Sequence, residues 1–497
     1  MKTKAIGATV VAAILVAGAW AFLRQRESNA VARIPPPPAT QSKAIATHLS
    51  AKFDAARAQP TSPDVVGALC VAYHADMFFD EADRCYALAS ELDSSQWRWR
   101  YYRALIQAER GGGEPLVENL RRVVNQAADF GPASQRLGDA LFKAGKYDEA
   151  REAWERASTA KVSDENPSTG LRAGQPSLAL SERSESNGPR HVTEVPLAAY
   201  ANVGLARIAL AQGETMKARE ILERVATDAP QFSSALRLLA DVYRSLGRQA
   251  DADRFVYRAN RLQPFAPYLD PMVDDLARES RNSTLLLRVS SEANLAVNAE
   301  WAEYLTRRAL EFDPENPETV VKLGRVLRTI GRNDEALGFF QRYHQMVPGD
   351  FLGLAHIGSC LSAMGRYQEA ESYLRRAVAG IDDSQTHYNL GLLLSITNRP
   401  TEAIAEYEKA LARDPMHADA RLNMATALAR QGKTEQAWRE LTRLVEQDPD
   451  NAVARTNLGV VLLQLGKIEQ ARVQLEAAIR ADPNLGPARQ ALESITR

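Results

Sequence analysis

The sequence predicts an all-α fold built as a solenoid of helix hairpins, and two columns of recurring residues carry that prediction. The first column consists of the prolines Pro230, Pro264, Pro314, Pro348, Pro415, Pro449 and Pro483. The second column holds Ala218, Ala252, Ala302, Ala336, Ala370, Ala403, Ala437 and Ala471. Most successive members of a column stand about 34 residues apart, and a period of this length is typical of stacked helical hairpins.

Two further columns indicate how each hairpin is built. A small residue stands twelve positions before each alanine, as at Gly324, Gly358, Gly391 and Gly459. Together the small residue and the alanine let the two helices of a hairpin approach closely. Another glycine stands five positions before the alanine, at Gly213, Gly247, Gly331, Gly365, Gly432 or Gly466. Such a glycine can adopt positive φ and end the first helix, whereas the proline ends the second.

These columns resemble the tetratricopeptide repeat family, and the best match is NLGVVLLQLGKIEQARVQLEAAIRADP, from Asn457 to Pro483. The resemblance implies a right-handed α-solenoid of about eleven hairpins. Their first small positions are residues 70, 104, 138, 206, 240, 290, 324, 358, 391, 425 and 459. Three departures occur: Leu116 replaces the alanine of hairpin 2, Val297 replaces the glycine of hairpin 6, and about 16 extra residues precede hairpin 6.

The chain divides into five predicted segments. They are a signal anchor or signal peptide (1–26), a proline-rich linker and leading helix (27–60), three hairpins (61–160), a flexible insertion (161–195), and eight hairpins with a capping helix (196–497). The leading helix is predicted from Ser42 to Ala58. The insertion is rich in Ser, Glu, Pro and Gly, which favours a loop. A degenerate repeat is the alternative, because the insertion is about one repeat long.

The amino-terminal pattern predicts a membrane anchor. Lys2 and Lys4 precede nineteen largely apolar residues, and Arg24 and Arg26 follow them. This length is close to the roughly 20 residues that a membrane helix needs. The positive-inside rule then places the repeat array in the periplasm or otherwise outside the cytoplasm. The alternative is a signal peptide that is cleaved near Ala19, followed by secretion.

Composition argues against several function classes. Lys and Arg number 61 against 62 Asp and Glu, so the chain lacks the basic excess of a nucleic-acid-binding protein. The three cysteines, Cys70, Cys85 and Cys360, form no C-x-x-C pair, and we expect neither a metal nor another cofactor. Cys70 and Cys85 lie on the two helices of one hairpin. We expect reduced, buried thiols there, with a disulfide as the alternative.

No catalytic motif emerges from the sequence. Gly432, Lys433 and Thr434 imitate the end of a phosphate-binding loop, but Ala427 occupies the place of the required upstream glycine. H-E-x-x-H and G-x-S-x-G are both absent. We therefore expect that the protein is not an enzyme.

A column of polar residues predicts the binding site. Asn389, Asn423 and Asn457 stand two positions before the small residue of the last three hairpins, and His356 and Lys322 take the same place in the two hairpins before them. The resemblance implies that first helices line a concave groove, where such amides hold an extended peptide backbone. The alternative is that the asparagines only bind neighbouring helices.

A second candidate is the aromatic and basic sequence QWRWRYYR over residues 96–103. Trp97, Trp99, Arg98 and Arg100 are of the types enriched at interface hot spots, which predicts a partner contact. The aromatic residues also fit two helical stripes, so packing within the core is the alternative, with Arg98 and Arg100 as the exposed members.

The sequence as a whole indicates a membrane-tethered or exported scaffold that binds protein or peptide partners and helps to assemble an envelope complex. We expect no nucleic-acid partner. Self-assembly into homo-oligomers, or a role as accessory subunit of an enzyme complex, are the alternatives that the sequence leaves open.

Overall fold

The computed structural model describes residues 24–160, 195–262, 268–293 and 295–496. These residues form helices joined by turns and none of them lies in a β-strand, which confirms the all-α prediction. The predicted anchor (1–26) and insertion (161–195) fall almost entirely outside these ranges. Within the ranges, no helix combines the length and the apolar character that crossing a membrane requires.

The helices form eleven consecutive pairs, which we number as hairpins 1 to 11. In chain order they are Pro63–Ala75 with Phe79–Leu92, Trp97–Glu109 with Glu114–Gln126, Gly131–Lys143 with Tyr147–Thr159, Leu197–Ala211 with Thr215–Asp228, Ser233–Ser245 with Gln249–Asn260, Ser283–Glu292 with Leu295–Phe312, Pro317–Thr329 with Asn333–Met346, Phe351–Ala363 with Tyr367–Gly380, Ser384–Ile396 with Pro400–Arg413, Ala418–Arg430 with Thr434–Gln447, and Ala452–Gln464 with Ile468–Ala481. Further helices are Lys43–Ala58, Pro271–Glu279 and Gly486–Thr496. Residues 24–33 are helical as well.

The chain is divided into two compact units. The first unit comprises Met1–Pro230 and Ala266–Pro314, and therefore hairpins 1 to 4 and 6. The second unit comprises Gln231–Phe265 and Glu315–Arg497, and therefore hairpins 5 and 7 to 11. Within the second unit, Arg261 of hairpin 5 lies 3.0 Å from Asp448, in the turn between hairpins 10 and 11. Hairpin 5 is thus next to hairpins that follow it far along the chain.

The predicted glycine turn ends the first helix of most hairpins. The six glycines that the sequence analysis names in that column adopt positive φ, between 71° and 81°. At Gly365 the turn is closed by a hydrogen bond from Arg366 N to Leu361 O at 2.9 Å, the six-to-one bond of a helix-ending motif. Met77 and Asn398 occupy the same column in hairpins 1 and 9, and both adopt positive φ without being glycine. The turn therefore keeps this backbone geometry both at an asparagine, which adopts positive φ comparatively readily, and at a methionine, which rarely does.

In seven of the eleven hairpins the first helix begins with a side-chain cap, unlike most second helices. Asn451 Oδ1 accepts a hydrogen bond from Ala454 N at 2.9 Å, and Asp383 Oδ1 accepts one from Thr386 N at 2.8 Å. Such side chains satisfy amides that have no partner within the helix. Second helices begin directly after the positive-φ turn, without a side-chain cap in most hairpins, as at Arg366.

The small column sets the distance between the paired helices. A Cβ atom added to Gly391 would lie 2.8 Å from the ring of Tyr407 on the second helix, and one added to Gly459 would lie 2.7 Å from Leu475. Ala403 and Ala471, on the facing helices, are fully buried. Both columns therefore have the packing role that the sequence predicts.

A polar column, which the sequence analysis missed, joins the two helices of the last three hairpins. His387 Nδ1 lies 2.6 Å from Glu406 Oε2, Arg421 donates to Glu440 at 2.6 Å, and Arg455 donates to Gln474 at 2.6 Å. Each pair occupies the same positions of its repeat as the pair before it. Arg421 also donates to the carbonyl of Pro415 at 2.6 Å, so it ties the inter-hairpin turn to its own helix.

The expectation of reduced thiols is wrong for hairpin 1, because Cys70 and Cys85 form a disulfide. The two residues face each other across the hairpin with their Cα atoms 5.2 Å apart, a separation that a disulfide bridges without backbone movement. The third cysteine, Cys360, is free and buried.

Both ends of the described array are covered. The helix predicted from Ser42 to Ala58 is present as Lys43–Ala58, with Ser42 as its amino-terminal cap, and it buries Leu49 completely. The proline run does not stand wholly apart from the repeats, because Pro35 O accepts a 2.7 Å hydrogen bond from Tyr73 of hairpin 1. At the other end, the helix Gly486–Thr496 buries Ala488.

The extra residues before hairpin 6 form a short helix rather than a repeat. Pro271–Glu279 has nine residues and packs against the first helix of hairpin 1, inside the first unit. We call residues 268–282 the docked segment. Hairpin 6 itself is irregular, since its second helix carries a non-helical residue at Asn298.

The packing role of the small column predicts that glycine-to-alanine substitution has opposite effects at two positions of the second unit, one outside the column and one within it. Gly338→Ala, on an exposed helix position where an added Cβ meets nothing within 4 Å, should stabilise by about 1 kcal/mol through helix propensity. Gly391→Ala should destabilise by about 1–3 kcal/mol, because the Cβ collides with Tyr407. Urea unfolding of the two variants measures both values, and equal effects would contradict the packing role.

The disulfide predicts a thiol count. Denatured protein should expose one thiol to Ellman's reagent before reduction, from Cys360, and three after reduction. Opening the bond should lower the free energy of unfolding of the first unit by about 3 kcal/mol, as expected for a closed loop of this length. Three reactive thiols in unreduced protein would contradict the pairing.

Candidate functional site

The candidate site lies on the face that the first helices present in the second unit. First helices of successive hairpins from 8 to 11 contact one another. The polar column predicted from the sequence lies on the first helices of hairpins 7 to 11. We call it the ladder column, and its members are Lys322, His356, Asn389, Asn423 and Asn457. All five side chains are partly buried, which leaves part of each accessible.

Hydrogen bonding brings two neighbouring hairpins together at this column. Asn423 Nδ2 donates to Tyr388 Oη of the preceding hairpin at 3.4 Å. The Tyr388 ring also packs on His417 at a centroid distance of 4.8 Å, and His417 Nδ1 caps the helix that carries Asn423. Asn423 therefore binds a neighbouring helix, as in the alternative in which the asparagines only bind neighbouring helices. Only one of its two amide hydrogens takes part in this contact.

The other two amides retain hydrogen-bonding capacity. Asn389 Oδ1 accepts from Gln385 at 2.9 Å, and among the described residues its Nδ2 has no acceptor. Asn457 makes no side-chain hydrogen bond within the part of the chain that the structure describes. Amides of this kind can both donate to and accept from an extended backbone. Their predicted role in peptide binding remains a prediction.

His356 is a neutral member of the ladder column. Its ring stacks on Phe340 with centroids 4.7 Å apart. Burial lowers the pKa of His356 to about 4, and the positive charges of Arg328 and Arg325 contribute to the lowering. The side chain is therefore uncharged at neutral pH and contributes a stacking surface to the column.

The hairpin 7 end of the column is positively charged. Lys322, Arg325 and Arg328 lie on one helix, and within the described residues no ion pair joins any of them to a carboxylate. Burial, followed by repulsion from Arg325, lowers the pKa of Lys322. An anion placed here would be stabilised by all three charges. The face therefore changes from cationic at hairpin 7 to amide-bearing at hairpins 9 to 11.

The ladder position also exists in the hairpins of the first unit. In hairpin 3 the residue at this position binds another segment of the chain. Arg136 stands two positions before Gly138, in the ladder position of hairpin 3. Its Nη2 lies 2.9 Å from Oδ2 of Asp270, in the docked segment. Tyr101 Oη donates to the same Asp270 oxygen at 2.6 Å, and burial raises the pKa of Tyr101 well above its usual value, so the hydroxyl keeps its proton. The sequence analysis missed Arg136 and Tyr101 as binding residues, although the R-L-G of Arg136 matches the N-L-G of Asn457.

The aromatic residues 96–103 divide between packing and surface. Trp99 is 4% exposed and stacks near Tyr86 and Tyr102, so it belongs to the core and offers almost no surface to a partner. Trp97 packs on Phe130 with centroids 4.8 Å apart but stays partly exposed.

The two predicted arginine contacts also differ. Arg100 donates to the Ser94 carbonyl at 2.7 Å and to Gln126 at 3.2 Å, which holds it against its own unit. Arg98 lies over the Trp99 ring, 5.6 Å from the centroid. A partner contact through Trp97 and Arg98 remains a prediction. Over the described ranges, no group of three or more His, Cys, Asp or Glu is arranged to hold a metal ion.

Family models for the tetratricopeptide repeat match residues 133–167, 195–267, 351–416, 397–445 and 430–494, which together make just over half of the chain. This chain belongs to the tetratricopeptide repeat family. Tetratricopeptide repeat proteins generally mediate protein–protein interactions and act as scaffolds, and the family is typically non-enzymatic.

Two curated tetratricopeptide repeat proteins are similar over short stretches. Small glutamine-rich tetratricopeptide repeat-containing protein 2 of Mycosarcoma maydis is 29% identical over 109 residues, which are 22% of this chain and 31% of that protein. Tetratricopeptide repeat protein 8 of Caenorhabditis elegans is 25% identical over 134 residues, which are 26% of each chain. The chain thus spans less than a third of the length of either relative.

Solved tetratricopeptide structures are similar at lower identity. YrrB, a protein with an unusual peptide-binding site, is 23% identical with a TM-score of 0.33, covering 38% of this chain and 97% of YrrB. PilF of Pseudomonas aeruginosa is 19% identical with a TM-score of 0.38, covering 43% and 97%. The Cut9–Hcn1 hetero-tetramer of the APC/C is 15% identical with a TM-score of 0.41, covering 91% and 95%.

The burial of His356 predicts a pH dependence. Because its pKa in the folded chain is about 4, below the ordinary value of 6.5, the unfolded chain binds more protons between these values. This contribution to stability is present above pH 6.5 and is lost as the pH falls towards 4. His356→Asn, which places the residue of hairpins 9 to 11 in hairpin 8, should therefore lose less stability between pH 6.5 and 4 than the unaltered chain. An imidazole resonance of His356 that titrates near pH 6.5 by NMR would contradict this.

Proposed function

We propose that this tetratricopeptide repeat protein is a scaffold that binds an extended segment of a protein partner along the ladder column of its second unit. Asn389, Asn423 and Asn457 recur once in each of the last three hairpins, so their amides meet a backbone at regular intervals. The observation that carries the proposal is the contact between Arg136 and Asp270. Arg136 occupies the ladder position of hairpin 3, and there it binds a segment of chain that is not part of a repeat.

Charge along the face favours one kind of partner segment. Lys322, Arg325 and Arg328 at hairpin 7 favour carboxylates, whereas the amides at hairpins 9 to 11 suit a neutral backbone. We infer that the bound segment carries acidic side chains at one end and lies extended over the asparagines. Binding by its acidic end should weaken with added salt, because exposed charges are screened.

The compartment is the second part of the proposal. The charged and apolar pattern of residues 1–26 supports an exported array held at the membrane, or secreted after cleavage. The disulfide between Cys70 and Cys85 agrees with an oxidising compartment such as the periplasm. In that compartment the scaffold would assist the assembly of an envelope complex.

Replacing the three asparagines tests the ladder column. The full chain, kept in detergent, is used to select binders from a library of short peptides. The Asn389→Ala, Asn423→Ala, Asn457→Ala triple variant should bind the selected peptides roughly a hundredfold more weakly, as expected for the loss of several hydrogen bonds. Fluorescence anisotropy measures the affinities, and circular dichroism verifies the helix content.

Asn484→Ala is the matched control, because Asn484 is exposed and lies outside the column. It should leave every affinity unchanged. If the folded triple variant binds the peptides as tightly as the unaltered chain, the asparagines are structural and the proposal fails. Light scattering over a range of concentrations addresses self-assembly, since a mass that rises with concentration favours the oligomeric alternative.

A further inference from the structure

The docked segment lies on the first unit in the way a bound peptide would. Its side chains contact Tyr101 and Arg136, which belong to the first helices of hairpins 2 and 3. Its helix packs on the first helix of hairpin 1. The surface that it covers is therefore the counterpart, in the first unit, of the face that carries the ladder column in the second.

Apolar anchors seat the helix of the docked segment. Met272 is 1% exposed and Leu276 is 5% exposed, and both belong to the same core cluster as Leu69 and Tyr101. The two anchors stand four positions apart, on one side of a helix. A short amphipathic helix that inserts such anchors into a groove is a recurring mode of peptide recognition.

Polar contacts hold the segment at its amino-terminal end. Asp270 uses both carboxylate oxygens: Oδ1 caps its own helix by accepting from Met272 N at 3.2 Å, and Oδ2 binds Tyr101 and Arg136. Asp270 is 4% exposed. A carboxylate buried to this extent is stable only when it is paired, so Arg136 and Tyr101 select an acid at this position.

A second charged contact holds the other end. Glu279 Oε1 lies 2.9 Å from both His48 Nε2 and Lys52 Nζ of the leading helix. Burial would raise the pKa of Glu279, but the contact with His48 and the charge of Lys52 outweigh it and lower the pKa to about 2. Beyond it, Ser280 Oγ donates to Ala75 O at 2.8 Å, and Arg281 N donates to Asp76 Oδ1 at 2.7 Å.

The segment is not a repeat. It interrupts the repeat register, and its nine-residue helix has no second helix with which to form a hairpin in the described part of the chain. Four of its side chains are acidic, Asp270, Asp274, Asp275 and Glu279, and two are basic, Arg278 and Arg281. Asp270 pairs with Arg136, and Glu279 pairs with Lys52 of the leading helix. The buried apolar anchors and the two ion pairs are therefore those expected of a ligand bound to its receptor.

We propose that the first-helix face of hairpins 1 to 3 is a recognition site for a short acidic amphipathic helix, and that residues 268–282 occupy it as an intramolecular ligand. The site selects an Asp that caps the helix, apolar side chains two and six positions later, and a Glu nine positions later. A partner helix of this pattern competes with the docked segment. The proposal concerns the first unit, and its test does not depend on peptide binding by the second.

A synthetic peptide of residues 268–282, labelled with fluorescein, tests the site. In the unaltered full chain the peptide must displace a tethered copy of itself, whose effective concentration is on the order of millimolar. Met272→Asp with Leu276→Asp removes the anchors of the tethered copy and leaves the receiving face unchanged. This variant should bind the peptide about a hundredfold or more tightly than the unaltered chain, by fluorescence anisotropy.

Two further changes, made in the same variant, locate the peptide. Arg136→Gln should weaken peptide binding roughly tenfold to a hundredfold, because it removes a bond to a buried carboxylate. Arg122→Gln is the matched control: Arg122 contacts Glu118 on an exposed surface of hairpin 2, and its loss should leave the affinity unchanged.

Three outcomes would overturn the proposal: no saturable binding to the folded double variant, equal binding to the unaltered chain, or binding that Arg136→Gln does not affect. If the double aspartate variant loses its helix content, Asp270→Asn with Glu279→Gln replaces it, since these changes keep the apolar anchors. That chain should also bind the peptide more tightly than the unaltered chain does. Equal affinities would again overturn the proposal.

Discussion

The close approach of two helices at one small residue is the constraint on which each hairpin depends. At Gly391 and Gly459 a side-chain carbon would collide with the facing helix, so the backbones meet there. Once that contact is set, the helical period assigns every other position of the first helix to a direction. The ladder position, two residues earlier, is turned away from the contact and is free to vary in chemistry.

The chain uses that freedom differently in its two units. In hairpin 3 the ladder position is Arg136, which is committed to Asp270 of the same chain. In hairpins 9 to 11 it is asparagine, and in hairpins 7 and 8 it is lysine and histidine. One backbone geometry thus supports an internal ion pair in one unit and accessible polar groups in the other. This difference supports the proposal that a partner segment binds along the ladder column of the second unit.

Much of the fold and part of the site were predictable, because each repeat carries the same packing rules in its own sequence. Positive φ at Gly365, the cap of the leading helix at Ser42 and the burial of Ala403 all follow from local rules of this kind. The ladder column was found in the same way. The sequence analysis did not extend the column to hairpin 3, because the residue at the equivalent position there is an arginine and not an asparagine.

The sequence by itself determined the helix pairs, their turns and the column of polar groups, since each of these is set by residues within one repeat or its neighbours. Tertiary structure decided the contacts between distant segments. Asp270 meets Arg136 across 134 positions of the chain, and Arg261 meets Asp448 across 187. The disulfide between Cys70 and Cys85 lies within one hairpin; the sequence placed the two residues on its paired helices, but the bond between them was not expected. The repeat period specifies which helices are neighbours along the array, but it contains no information on segments that leave the array and return.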